Sequence, residues 1–282
     1  MKNNFIGCLI ITHNPPLEIL IKTIDKLLER KDIVNTFIID NSDEAFHLQK
    51  YIQNLITLDL VSFEHIKNNG LDYSLNYGIK KIKEESSPKF ITILEDDNLL
   101  ITDLSEIIKL YSDTHLGNKD LIVFNDKDIT VEKHTLINYN KLIGIGTYFA
   151  KSDLFYSIPF REEFLMDQGD LDFQIKIRNN GGNIFITSWG VIERLTFGRG
   201  ENGLVLPLWR NYLTIRNATV LFLVERNGII FYFKIYIYLS LNFIRNMKRY
   251  GMLKFLRIVF EAFVDGINKN FDNNKVLELR KL

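Results

Sequence analysis

The chain has 282 residues, and its 35 Lys and Arg balance 35 Asp and Glu. That balance excludes the strongly basic surface of a general nucleic-acid binder, and 46% apolar with 25% charged residues excludes wholesale disorder. A lone cysteine, Cys8, excludes an intramolecular disulfide and a cysteine-built zinc cage.

Ile6 to Thr12 is a short apolar, β-branched run, the pattern of a buried strand. No signal-peptide core precedes it, so a cytosolic location is expected. Pro15-Pro16 then breaks the chain, and Leu17 to Leu28 has helical spacing through Leu17, Leu20, Ile24, Leu27 and Leu28. Thr36 to Asp40 reads as a strand, Ala45 to Leu55 as a helix and Leu60 to Ile66 as a strand. Asp72 to Glu85 reads as a helix with Asp72 as N-cap, and Phe90 to Leu94 as a strand that runs into Glu95-Asp96-Asp97. Strands alternating with helices of this length predict an α/β fold with a mostly parallel sheet and helices on both faces. Ligands of such sheets bind beyond the carboxyl ends of the strands.

Further on, Leu121 to Phe124 and Ile143 to Ala150 read as strands. Asp170 to Asn180 reads as a helix stopped by Gly181-Gly182, followed by a strand over Asn183 to Thr187 and a helix over Leu206 to Val224. The composition shifts near Glu225. From Glu225 to Leu282, 11 Lys/Arg face 5 Asp/Glu, a net charge of +6. Within this tail Met252, Phe255, Leu256, Val259 and Phe263 share one side of a helical wheel, opposite Lys254, Arg257, Glu261 and Asp265. The uncharged run Ile235 to Ile244 is too short for the roughly 20 residues of a membrane span. Residues 1–224 are therefore expected to form the main domain, with a nucleotide-binding half to about 125 and a second half from about 126. Residues 225–282 are expected to form an amphipathic helical region.

Three clusters sit where chemistry is expected. In an extended chain Glu95 and Asp97 share a face, and two such carboxylates suit Mg²⁺ or Mn²⁺ completed by substrate phosphates; a solvated acidic turn is the plainer reading. Asp40-Asn41-Ser42 can accept hydrogen bonds from a base or ribose, but alone it reads as an Asx-turn or helix cap. Asp167, Asp170 and Asp172 offer either a helix cap or a general base for an attacking hydroxyl. There is no dinucleotide fingerprint, no phosphate loop, no H-E-x-x-H and no G-x-S-x-G.

In order, these pieces resemble the inverting family 2 glycosyltransferases with the GT-A fold, particularly the bacterial rhamnosyltransferase- and galactofuranosyltransferase-like members. Thr12-His13-Asn14 matches the family's T-x-N strand end, and Asp40-Asn41-Ser42 its D-N-x-S segment. Asn68-Asn69-Gly70 with Asn76-Tyr77-Gly78 matches its paired N-x-G, and Glu95-Asp96-Asp97 its D-x-D. Gly169-Asp170-Leu171-Asp172 with Arg178-Asn179-Asn180-Gly181 matches the segment holding the base. Trp209-Arg210-Asn211-Tyr212 with Arg216-Asn217 matches its R-x-Y…R-N.

The resemblance implies transfer of a sugar from a nucleotide diphosphate, of UDP or dTDP type, to a hydroxyl of a glycan or lipid-linked glycan. It implies Asp170 as base, with Asp172 supporting it or touching the acceptor, and Glu95 and Asp97 as ligands of Mg²⁺ or Mn²⁺. It also implies Thr12, Asn14, Asp40, Asn41, Asn68, Asn76 and Asp96 around the donor. Arg194 stands where the family often has a metal-binding histidine; a guanidinium cannot ligate a cation but can bind diphosphate directly. The expected role is bacterial cell-surface polysaccharide synthesis. The basic, amphipathic tail fits an anionic membrane surface on the inner face of the cell membrane, or a homodimer through its helices. A catalytically inactive nucleotide-sugar scaffold is the alternative. A sugar-phosphate nucleotidyltransferase would want a glycine-rich basic loop, which Thr12 to Leu17 lacks.

Overall fold

β1 (Ile6–Thr12) is buried along its whole length, because it runs between two parallel neighbours, β2 (Ile33–Asp40) and β4 (Phe90–Glu95). The computed structural model describes residues 6–43, 61–127, 134–144, 146–195, 207–226 and 248–280. The expected helix at Ala45 to Leu55 and the apolar stretch around Ile235 to Ile244 lie outside these residues.

Further along the chain come β3 (Val61–His65), β5 (Asn98–Leu100), β6 (Leu121–Asn125), β7 (Leu136–Asn138), β8 (Tyr148–Lys151) and β9 (Ile184–Gly190). The main sheet has the order β3-β2-β1-β4-β8-β6-β9-β7. β8 and β7 run antiparallel to their neighbours and the remaining pairings are parallel. β5 pairs separately with β10 (Ile192–Arg194), antiparallel.

Side-chain alternation along β1 distributes the core. Ile6, Cys8 and Ile10 face one side, where α1 (Leu17–Leu28) contributes Leu20, Ile24 and Leu27 and α3 (Leu104–Asp113) contributes Leu104, Ile107 and Tyr111. Leu9 and Ile11 face the other, against Leu75, Ile79 and Ile82 of α2 (Leu71–Glu85) and Leu154 and Phe155 of α4 (Ser152–Ser157). Gly78 lets α2 pack close to β1: a Cβ there would lie 2.5 Å from a methyl of Leu9, which would have to shift.

Several expectations are corrected. Gly70, with φ 101°, is the N-cap of α2, so Asp72 sits inside the first turn and is buried. The strand expected over Ile143 to Ala150 is confined to Tyr148–Lys151. The triplet's last two residues form the turn between β4 and β5, so Glu95 and Asp97 are not alternate residues of one strand.

The chain forms two compact units, Met1–Phe160 with Phe173–Thr196, and Arg161–Asp172 with Phe197–Leu282. The cut falls inside α5 (Gly169–Asn179) and after β10, and the tail shares its unit with residues 161–172 and 197–224. α5 ends in a Schellman motif: Gly181 has φ 81°, Gly182 N–H donates to Ile177 O at 3.0 Å and Gly181 N–H to Arg178 O at 2.9 Å.

In the second unit α6 (Leu208–Ala218) continues into a π-helical turn, Thr219–Val224, and packs with α7 (Met252–Ile267) and α8 (Asn273–Arg280). Gly266 lets α7 approach closely, since a Cβ there would meet Thr219 Cβ at 2.6 Å and Arg216 O at 2.8 Å. The buried face of α7 is Phe255, Ile258, Ala262 and Gly266, rotated from the expected stripe; Met252 and Leu256 are exposed. A second apolar row, Leu253, Phe260, Val264 and Ile267, also points outward. Among the described residues, no helix is long and apolar enough to cross a membrane.

Candidate active site

Parallel register puts the strand ends of the first unit side by side: Thr12 pairs with Asp40 and Ile11 with Glu95. Thr12 Oγ1 donates to Asp96 Oδ2 at 2.9 Å. Burial pushes the Asp96 carboxyl up to about 6; the Thr12 hydrogen bond opposes this, and the neighbouring charges of Asp97 and Glu95 add to it.

Asp40 is fully buried. Its Oδ1 accepts from the Ser42 N–H and hydroxyl, and its Oδ2 pairs with His65 Nδ1 at 2.9 Å. This is the Asx-turn geometry, reinforced by a histidine that sequence reasoning did not single out. Asn41 donates through Nδ2 to Ser74 Oγ at 2.9 Å, while its Oδ1 is buried with no hydrogen-bond partner among the described residues. Asn14 has φ 48° and is exposed; its N–H donates to Ser42 Oγ at 2.8 Å. The His13 ring approaches Asn41 O through Nδ1 at 3.0 Å, and its Nε2 lies 3.3 Å from Asn14 Nδ2. Asn68 donates to Asp43 Oδ1 at 3.0 Å and accepts from Gly70 N–H at 3.2 Å, fixing the entry to α2. Asn76 makes a two-way bridge to the Phe160 backbone: Nδ2 donates to its carbonyl at 3.0 Å and Oδ1 accepts from its N–H at 2.9 Å.

The β10–β5 pairing carries Arg194 opposite Asn98, beside the acidic turn. Arg194 Nη2 lies 3.4 Å from Glu95 Oε2, and Nε lies 4.0 Å from Asp126 Oδ2. Leu195 N–H donates to Asp97 O at 2.9 Å, tying the end of β10 to the acidic turn. Gly146 leaves room for Glu95, because a Cβ there would stand 2.9 Å from Oε1. Asp126 and Gly146 had no motif to mark them; only the fold brings them here. Among the described residues, no group of three or more His, Cys, Asp or Glu is placed to hold a metal ion. Glu95 and Asp97 still offer hard oxygens of the kind Mg²⁺ and Mn²⁺ accept alongside phosphate oxygens.

In the second unit Asp170 and Asp172 occupy the first turn of α5, where the helix dipole stabilises negative charge. Asp170 is half-buried, and its Oδ1 accepts from Leu171 N–H at 2.9 Å. Asp172 is only 2% exposed, with Arg161 Nε 3.3 Å from its Oδ1, so it is turned into the fold. Asp167 is gripped by Arg210.

No protein-family model matches the sequence, and no curated protein matches it. Solved structures do match in shape. S. aureus TarS 1–349 in complex with UDP-GlcNAc superposes with a TM-score of 0.61 at 12% identity, covering 93% of this chain and 81% of that one. The fold is that of the GT-A glycosyltransferases. A longer S. aureus TarS chain gives a TM-score of 0.54 at 13% identity, over 77% of this chain and 39% of that one. GalNAc-T7 with UDP, GalNAc and Mn²⁺ gives 0.57 at 14% identity, over 78% and 48%. At such identities the likeness carries the fold alone, and the chain spans half or less of the last two.

Proposed function

We propose that this protein transfers a sugar from a nucleotide-diphosphate donor to a hydroxyl of a glycan, with inversion, in the synthesis of a bacterial surface polysaccharide. The observation that carries the reading is the fold shared, over nearly the whole chain, with a TarS fragment that binds UDP-GlcNAc. The rhamnosyl- and galactofuranosyl-transferase-like resemblance of the motifs narrows the donor to UDP- or dTDP-sugars.

In this reading Asp170 accepts the proton of the acceptor hydroxyl as its oxygen attacks the anomeric carbon from the face opposite the diphosphate. Asp172, buried and paired with Arg161, holds the first turn of α5 rather than the acceptor. Thr12, Asn14, Asp40, Asn41 and Asp96 line the nucleotide side. The buried Asn41 Oδ1, with no hydrogen-bond partner among the described residues, is an acceptor suited to a donor N–H or hydroxyl. Asn68 and Asn76 act there by fixing α2 and the Phe160 backbone. Glu95 and Asp97 would hold Mg²⁺ or Mn²⁺, which when bound offsets the charge of the departing diphosphate. Arg194 adds a fixed positive charge on the same side. The tail, with its net charge of +6 and the exposed row on α7, serves a membrane-linked acceptor.

Thermal-shift screening against UDP- and dTDP-sugars, with and without Mn²⁺, tests this. Stabilisation by one of them, followed by release of its nucleoside diphosphate when a glycan acceptor is added, is the expected result. Stabilisation with no turnover on any acceptor would leave the inactive scaffold, and no stabilisation by any nucleotide sugar overturns both.

A further inference from the structure

The Arg210 and Arg216-Asn217 segment of α6 has no part in the chemistry above, yet its polar side chains converge on one short stretch, residues 163–168. That stretch has an unusual backbone. Leu165 has φ 62° and ψ −53°, and Met166 N–H donates back to Phe164 O at 2.7 Å, which makes a γ-turn of the rare positive-φ form. Asp167 at φ 59° and Gln168 at φ 66° follow, neither of them glycine. Gly169 and Asp170 then open α5.

The grip on this strap is specific. Asn217 is fully buried, and its Nδ2 donates to the carbonyls of Phe164 at 2.9 Å, Met166 at 2.9 Å and Asp167 at 3.0 Å. Its Oδ1 accepts from Arg216 Nε at 3.0 Å. Since a guanidinium only donates, that bond fixes which end of the amide faces the strap. Arg216 Nη2 donates to Glu163 O at 3.1 Å. Arg210 forks onto the Asp167 carboxylate through Nε and Nη2 at 3.1–3.2 Å, and Thr214 Oγ1 donates to the same carboxylate at 3.1 Å. A strained segment held by so many side chains of one helix is over-determined, and such strain clusters where geometry matters to function.

We infer that Asn217, Arg216 and Arg210 are positioning residues for Asp170: they clamp the strap in its strained form and so set where α5 presents the base. The inference rests on the assignment of Asp170 as base. It gives the R-x-Y…R-N segment a task in the reaction without contact with substrate.

The test compares full-length Asn217→Ala, Arg210→Ala, Arg210→Lys and Asp170→Asn, and the double variant Arg210→Ala with Asp170→Asn. Arg210 is partly exposed, so its variants keep the test usable if Asn217→Ala fails to fold. Two readouts are taken: hydrogen exchange over residues 161–172, and UDP release from the UDP-sugar that stabilises the protein most. The expected result is faster exchange confined to that segment in Arg210→Ala, with kcat down about 10- to 100-fold, since small misplacement of a reacting group costs rates of this order. Donor KM and UDP affinity stay unchanged, Arg210→Lys recovers part of kcat, and Arg210→Ala causes no further loss in the Asp170→Asn background. Unchanged exchange, unchanged kcat, or a full additional loss in the double variant overturns the positioning role. Wild-type turnover by Asp170→Asn instead overturns the base assignment, whatever the strap does.

Discussion

Glu95 ends the buried strand β4 with Asp96 and Asp97 directly after it, whereas Asp170 follows a strap, residues 163–168, in which Leu165, Asp167 and Gln168 have positive φ. The first group inherits its place from sheet register: once β1 and β4 pair, Glu95 stands beside Ile11 with no unusual backbone. The second is placed by side-chain hydrogen bonds against a backbone that costs about 1–3 kcal/mol per strained residue. Acid groups at a sheet end are therefore tolerant of changes around them, and a base on a strap depends on distant partners.

The largest effect expected is on the strap side. Asp170→Asn should lower turnover about 10²- to 10⁴-fold while UDP affinity, measured by calorimetry, stays near wild type. Turnover close to wild type would move the role to another carboxylate and remove the functional half of the contrast.

Packing offers the next test. Gly78 in the first unit faces the end of a leucine side chain, but Gly266 in the second faces the Arg216 carbonyl and Thr219 Cβ. Gly266→Ala should cost about 2–3 kcal/mol in urea denaturation and Gly78→Ala about 1 kcal/mol, because a side-chain end moves aside and backbone does not. The reverse order would mean that the helical unit adapts more readily than the sheet.

Within the sheet-end group, Asp97→Ala should weaken UDP binding about tenfold in Mn²⁺ and leave it unchanged in EDTA, while Arg194→Ala should weaken it in both, in line with the loss of a charge-assisted contact. If Asp97→Ala binds UDP normally in Mn²⁺, the diphosphate belongs to Arg194 alone.

The smallest effect concerns Asp96. Its carboxyl is raised to about 6 by burial, so the folded state binds a proton that the unfolded chain has released, and stability falls as pH rises from about 4 to about 6. In metal-free protein, Asp96→Asn should match wild type in melting temperature at pH 4 and exceed it at pH 7. Equal melting temperatures at both would show that the group is ionised without penalty.

Much of this was readable in the amino-acid sequence. β1 and α1 coincide with the expected Ile6–Thr12 and Leu17–Leu28, because an unbroken apolar run and a 3.6-residue spacing each admit one local structure. β5, β7 and β10 are three-residue strands whose pairing comes from distant chain, which no local pattern encodes. α3 was legible in principle, since Leu104, Ile107, Ile108 and Tyr111 carry helical spacing. The site residues divide in the same way. Thr12, Asp40 and the acidic triplet stand at strand ends where periodicity placed them. Asp126, His65 and Gly146 arrive through tertiary folding, and the strap's backbone could not be foreseen from residues such as Leu165 that avoid positive φ.

The two-sided apolar character of α7 bears on how the protein behaves in a test tube. Leu253 is 79% exposed and Phe260 67%, on the side of the helix away from its buried Phe255 and Ile258. Excluded salts such as ammonium sulfate strengthen contacts between surfaces of this kind, whereas they screen contacts between charges. The protein should therefore bind phenyl resin at moderate ammonium sulfate and elute as the salt is withdrawn. Leu253→Ser with Phe260→Ser should elute earlier with an unchanged melting temperature, because neither side chain belongs to the core it leaves intact.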